Sequence, residues 1–285
     1  MSRPLREVTT FLVLVFSLAI GVAVAMPDAN INKLLSALLL VTGVIIITFA
    51  ATTRGKRREL WASFGLLKRS GKRMWAFALI VPMILAGTAY AVAIAVGVAD
   101  LRDINLTSSG MADWTLNVVA SLAFMTVLFL AEEIGWRGYL LPRIQQLTSR
   151  RRAALVTGFI HGCFHLPLIL IATTYDEHGS RWIVAPIVVA TITMGGVFYA
   201  YLWDMTGSVW PVSLAHAAVN FMFGLGAGAV VASSQDDLAY VAGESGIATF
   251  GAVALVGLVF LVRAKVWRTD TGAVAKDESQ LEPVA

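Results

Sequence analysis

Long apolar runs, broken by short charged or glycine-rich segments, dominate the chain. Eight can be drawn, at residues 9–26, 34–51, 74–98, 114–131, 153–172, 182–203, 209–231 and 247–262. A helix needs about 20 residues to cross a bilayer. The runs lack the strict apolar–polar alternation of barrel strands, and a helix satisfies its own backbone groups where water is absent. The pattern predicts an all-α, polytopic transmembrane bundle of about eight membrane-spanning helices, forming one domain over residues 1–267. The last run is short as drawn, and residues 240–243 can lengthen it. Beyond it apolar residues become scarce, so residues 268–285 are expected to be a disordered tail.

Charge placement orients the bundle. Arg3 and Arg6 precede the first run, the connector 52–73 is rich in Lys and Arg, and further bases follow the fourth and eighth runs. Of the 22 Lys and Arg, only Lys33, Arg102 and Arg181 fall on the other side, beside acids that include Asp100, Asp103, Asp176, Asp236 and Asp237. The positive-inside rule then puts both termini, and the tail, in the cytoplasm. A second reading of the start stays open: Arg3, Arg6, an apolar run and Ala23-Val24-Ala25 also fit a cleaved signal peptide. Within the connector, Leu60, Trp61, Phe64 and Leu67 recur at helical spacing, which fits a helix lying in the membrane interface or an ordinary solvated loop.

Composition sharpens the class. The chain is 58% hydrophobic and 14% charged over 285 residues, against roughly 45–50% and 25% in soluble domains. Cys163 is alone, which excludes an internal disulfide. The bases form short juxtamembrane clusters, which points to membrane lipids as partners and away from nucleic acid. Gly158 and Gly162 form a G-x-x-x-G pair suited to close helix contact. Pro167 cannot donate to the Cys163 carbonyl, so a local kink near His165 is expected.

Three polar constellations interrupt the apolar runs. Glu132-Glu133-Ile134-Gly135-Trp136-Arg137 follows the fourth run. Residues four apart share a helix face, so Glu133 and Arg137 can pair, while Glu132 points about 100° away toward other helices. His161 and His165 lie four apart in His161-Gly162-Cys163-Phe164-His165-Leu166-Pro167, and His216 and Asn220 share a face among small residues. Each motif alone also fits a bland role. The acids can be headgroup-zone partners of Arg137 and Arg143, and His161 in particular fits an interhelical hydrogen-bond bridge. Taken together, a carboxylate that can activate water, histidines that can share its proton, and His/Asn donors for an oxyanion are the parts of a hydrolytic site.

The ordered set E-E-x-x-x-R, His before Leu-Pro, and H-x-x-x-N resembles the CPBP (CAAX protease and bacteriocin-processing, or Abi) family of intramembrane proteases over roughly residues 128–220, within a family core of about 114–231. The first and third motifs match fully. In the second, His161 stands where the family usually has an aromatic residue, and His165 aligns with the family histidine. The resemblance implies a multi-pass protein of a bacterial or archaeal plasma membrane that cleaves a peptide bond near the cytoplasmic membrane surface in a peptide or protein, lipidated or not, with CAAX-type prenyl-protein processing among the options. It implies Glu132 and His165 activating water, Glu133 and Arg137 orienting and balancing the site, and His216 and Asn220 binding the oxyanion. Metal use stays open: a divalent ion such as zinc would take Glu132, His165 and His216 as ligands. Two other classes also remain, a membrane scaffold or immunity protein and, further off, a proton-coupled transporter with Glu132 as relay.

The runs set a depth problem. His165 lies twelve residues into its run and His216 seven into its own, about 18 Å and about 10 Å at 1.5 Å per residue. Glu132 sits at the end of the fourth run. They meet if the fourth helix continues well past Arg137, and the expected arrangement is a long fourth helix and a polar funnel open to the cytoplasm.

Overall fold

The computed structural model describes residues 1–26, 29–103, 108–172 and 178–268. The expected tail lies outside the described residues from 269 onward, as do Asp176 and the Lys33 side chain. In chain order the elements begin with α1, Arg3–Ala25, and α2, Ala29–Ala50. The basic connector holds a short α3, Arg57–Ser63, and leads into α4, Lys72–Ala95. A three-residue strand β1, Ala99–Leu101, precedes α5, Ser108–Glu133. A π-helical segment, Ile134–Leu140, and α6, Leu141–Ile144, prolong α5. Then come α7, Arg150–Phe164, α8, Leu166–Leu170, α9, Arg181–Thr206, and α10, Val209–Ala229. Strand β2, Val230–Ala232, α11, Gln235–Val241, and α12, Ile247–Arg263, close the described fold. Each of the eight apolar runs is helical. Among the described residues six helices are long and apolar enough to span a membrane, and the apolar helices at Leu38–Ala50 and Ile247–Arg263 are shorter.

The bundle has two distinct ends. At the basic end, Arg143 Nε donates to Glu7 (2.8 Å), and Gln145 and the Trp267 indole both donate to Asp204 (3.0 and 2.6 Å). There too the Trp210 indole donates to the Leu66 carbonyl at 2.9 Å. At the opposite end, β1 and β2 pair antiparallel with Ala99 facing Ala232. The Gly179 and Ser180 amides donate there to Asp236 and to the Tyr240 hydroxyl.

The connector folds differently from a simple interfacial stripe. Phe64 is fully buried, 6.4 Å from the Tyr139 ring, whereas Leu67 is 94% exposed. The stripe therefore splits: its centre joins the core and its last member leaves it. Helix α1 is also a core element. Phe11 is fully buried, with ring centroids 6.3 Å from Trp136 and 5.0 Å from Tyr139.

The α5 helix continues without a break as one 35-residue apolar run, Gly110–Ile144, as the depth problem requires. Its widened turn has a local cause. Pro142 offers no N–H to the preceding turn, the Leu141 amide bonds back to the Trp136 carbonyl, and Arg143 Nη1 donates to the Tyr139 carbonyl at 2.7 Å. At the other proline the break sits at His165 itself. Its amide donates to Gly162 O at 3.1 Å, and α8 restarts at Leu166.

The G-x-x-x-G pair packs α7 on α9. A Cβ added to Gly158 would lie 2.5 Å from the Thr193 carbonyl oxygen, and one on Gly162 would lie 2.8 Å from that of Val189. Backbone on both sides leaves no flexible group to yield. Gly158→Ala is expected to destabilise the protein by about 1–3 kcal/mol, read as a lower thermal midpoint in detergent. Gly87→Ala, with nothing within 4 Å of the added Cβ, is the control. Equal midpoints for the two variants would refute the tight seam.

Candidate active site

Four elements converge on one buried cluster: the end of α5 with its π segment, α7, α9 and α10. Glu133 and Arg137 are fully buried, and Arg137 Nη1 lies 3.0 Å from both Glu133 carboxylate oxygens. The pairing expected from their spacing is therefore present. His216, 83 residues away in sequence, places Nδ1 2.8 Å from Glu133 Oε1. Buried charges need such partners, because each ion loses its water on burial.

These contacts assign proton positions. A carboxylate engaged by an arginine only accepts, so His216 Nδ1 carries the proton it shares with Glu133. Arginine only donates, so His161 Nδ1, 3.4 Å from Arg137 Nη1, is an acceptor, and the neutral His161 ring carries its proton on Nε2. That nitrogen faces Glu132 Oε2 at 3.5 Å. Both atoms are buried and have no hydrogen-bond partner among the described residues. Glu132 is thus aimed away from the Glu133–Arg137 pair, as its 100° offset predicts.

Aromatic rings wall the cluster. His216 stacks on Phe129 at 4.1 Å and on Tyr199 at 5.6 Å, while the Arg137 guanidinium carbon lies 4.8 Å from the Tyr199 ring centre. His161 is 4.8 Å from Trp136, 5.3 Å from His165 and 5.8 Å from His216, ring to ring. The Asn220 amide donates to the His216 carbonyl one turn back at 3.1 Å, which leaves its second N–H for another acceptor.

A cavity of about 320 Å³ opens from this cluster. Glu132, His165, His216 and Asn220 line it, whereas Glu133 and Arg137 lie behind the wall. His161, for which an interhelical hydrogen-bond bridge was one reading, contacts Arg137 through Nδ1, faces Glu132 without a hydrogen bond, and lines the cavity. Its spacing of four from His165 was the available signal. Tyr199 and Phe129 also line the cavity, and single aromatics inside apolar runs carry no mark in the sequence. So does Glu244, in the turn before α12.

The expected funnel toward the basic end is corrected. The lining runs the other way, to Glu244 at the end that carries β1 and β2. On the basic side, Trp136, Arg137, Gly138 and Tyr139 are buried, and Phe64 packs against Gly138. The prolonged α5 and the folded connector pack together on that side. The zinc option gains no support from the arrangement, since no three His, Cys, Asp or Glu among the described residues group closely enough to hold an ion.

Residues 113–222 match a family model described as type II CAAX prenyl endopeptidase Rce1-like. The matched stretch contains every member of the three motifs, together with His161, Phe129 and Tyr199. The resemblance read from those motifs therefore holds over this stretch, and with its apolar helices the chain is a multi-pass integral membrane protein. No curated protein matches the chain.

Proposed function

We propose, from the premise that residues 113–222 are the core of a CAAX-type intramembrane protease, that the chain is a glutamate-dependent endopeptidase acting within the membrane. The observation that carries this reading is the buried face-off between Glu132 Oε2 and His161 Nε2, both without a partner and both on the cavity wall. A water held there would be poised for attack.

In this reading Glu132 takes a proton from that water, and the hydroxide adds to the carbonyl carbon of the scissile bond. The oxyanion that develops is met by the second N–H of Asn220 and by His216 Nε2. The latter donates when the ring is an imidazolium, and Glu132, Glu133, Arg137 and His216 then sum to zero charge. Glu133 and Arg137 hold the His216 ring. The proton on Glu132 passes to the leaving nitrogen with His165 as relay, the C–N bond breaks, and a carboxylic acid and an amine are released. His161 Nε2–H donates to the attacking water from the side opposite Glu132.

The basic end, with both termini, is assigned to the cytoplasm by charge bias. Peptides or proteins held in the bilayer are the substrates, and comparing prenylated with unprenylated versions of one peptide tests the CAAX option. His165→Ala is expected to lower kcat by about 10²–10⁴ in proteoliposomes, with an unchanged thermal midpoint; turnover within tenfold of wild type would remove His165 from the mechanism. Cleavage is expected to survive dialysis against a chelator. Loss that zinc restores would replace the glutamate-only mechanism with a metal-assisted one.

A further inference from the structure

The cavity continues well beyond the groups that hydrolysis needs. On α9 its lining follows one face through Val188, Thr191, Ile192, Gly195 and Tyr199. From Val188 to Tyr199 that face spans about 16 Å at 1.5 Å per residue, the reach of about five extended residues. Most of the wall is apolar, with Leu128, Val219, Phe223 and Val256 from neighbouring helices.

Two hydroxyls interrupt it. Ser36 is 4% exposed and Thr191 8%, both line the cavity, and neither hydroxyl oxygen has a hydrogen-bond partner among the described residues. Several helical hydroxyls in this bundle turn back to the carbonyl four residues earlier, as in Thr48, Thr88, Thr126, Thr193 and Thr206; the buried Thr157 and Thr249 hydroxyls are also without a partner among the described residues, but neither lines the cavity. Ser36 and Thr191 make no such bond and do line it, so they are open to an incoming polar group where water is scarce. An extended peptide brings N–H and C=O groups that must be satisfied in such surroundings.

Charge at the far end of the wall is one-sided. Glu132 belongs to the catalytic cluster, whose charges balance, whereas Glu244 stands at the other end, and no Lys or Arg is among the described lining residues. Glu244 sits on a tight turn, where Gly243 has φ +81° and Ser245 Oγ donates to Ala239 O at 3.1 Å. Such a wall attracts cations and repels a free carboxylate, and the apolar surround lowers the dielectric and strengthens both effects.

We propose that this arm binds an extended apolar substrate segment whose backbone is held by Ser36 and Thr191, and that Glu244 selects a cationic group about five residues from the scissile bond. The inference rests on the protease reading for its catalytic end. It assigns the substrate class: membrane-embedded segments with a basic residue or free amine at that distance from the scissile bond, in preference to segments with an acidic group there.

The test uses the full-length protein in detergent and quenched-fluorescent octapeptides of leucine and alanine, capped at both ends. Arg, Ser or Glu is placed at the first position in one series and at the last in another. In one series, wild type is expected to show kcat/KM about tenfold higher for Arg than for Glu. Glu244→Gln flattens that ratio and Glu244→Lys inverts it; an unchanged ratio in Glu244→Lys overturns the assignment. Binding of the same peptides to the Glu132→Gln variant, read by fluorescence anisotropy, separates the two readings. Charge-ordered binding that Glu244→Lys inverts, with no cleavage by wild type, keeps this recognition and refutes the protease reading. Cleavage without charge order does the reverse, and absence of charge-ordered binding overturns the proposal. The Ser36→Ala/Thr191→Val double variant is expected to weaken binding of all three peptides alike, about tenfold. Unchanged affinity refutes the backbone contacts.

Discussion

Glutamine at position 132 should leave a folded protein that no longer cleaves. The substitution keeps the shape of the side chain and removes its ability to accept a proton from water. General-base catalysis contributes roughly 10²–10⁴ in rate, so kcat is expected to fall by about that factor or more. Glu132 is 6% exposed and its Oε2 has no hydrogen-bond partner among the described residues, so the neutral amide costs the fold little. The thermal midpoint in detergent should stay at or slightly above that of wild type. Turnover within tenfold of wild type would end the case for Glu132 as base. A collapsed midpoint would instead make Glu132 a structural group.

The second large effect concerns stability. Arg137→Met removes the guanidinium that both Glu133 oxygens face at 3.0 Å in a fully buried pair. The buried carboxylate would then keep only His216 Nδ1, at 2.8 Å, as a partner, and breaking a buried ion pair costs about 3–5 kcal/mol. The Arg137→Met protein should unfold at much lower temperature or denaturant. Glu133→Gln in the same chain should recover a large part of the loss, because the buried charge that lost its arginine disappears. A double variant no more stable than Arg137→Met would show that packing of the arginine against Tyr199, not its charge, carries the effect.

Much of this arrangement was legible in the sequence for simple reasons. Lipid admits few backbone solutions, so eight apolar runs could be read directly as helices. The Glu133–Arg137 pair follows from spacing alone. The contact between Glu133 and His216 does not, since 83 residues and several helices separate them; only the resemblance to a family brought those motifs together beforehand. The π segment was hidden because its cause is spread over Pro142 and Arg143 rather than carried by a signature. His161 was read as a bridge, and its place on the cavity wall depends on the angle at which α7 crosses α5. The direction of the cavity was missed for a similar reason. Phe64 lay in a stripe whose spacing fitted an interfacial helix or a solvated loop, and neither reading packs it against Gly138 in the core.

Phe11 wedges between Trp136 and Tyr139, so the carboxylate-bearing helix cannot slide along its axis without dragging α1. The axial register of Glu132 and Glu133 is thus set from outside the stretch that bears all six motif residues. That stretch is no portable cassette: grafted into another scaffold, it would need the amino-terminal helix as a splint to keep its acids at working height.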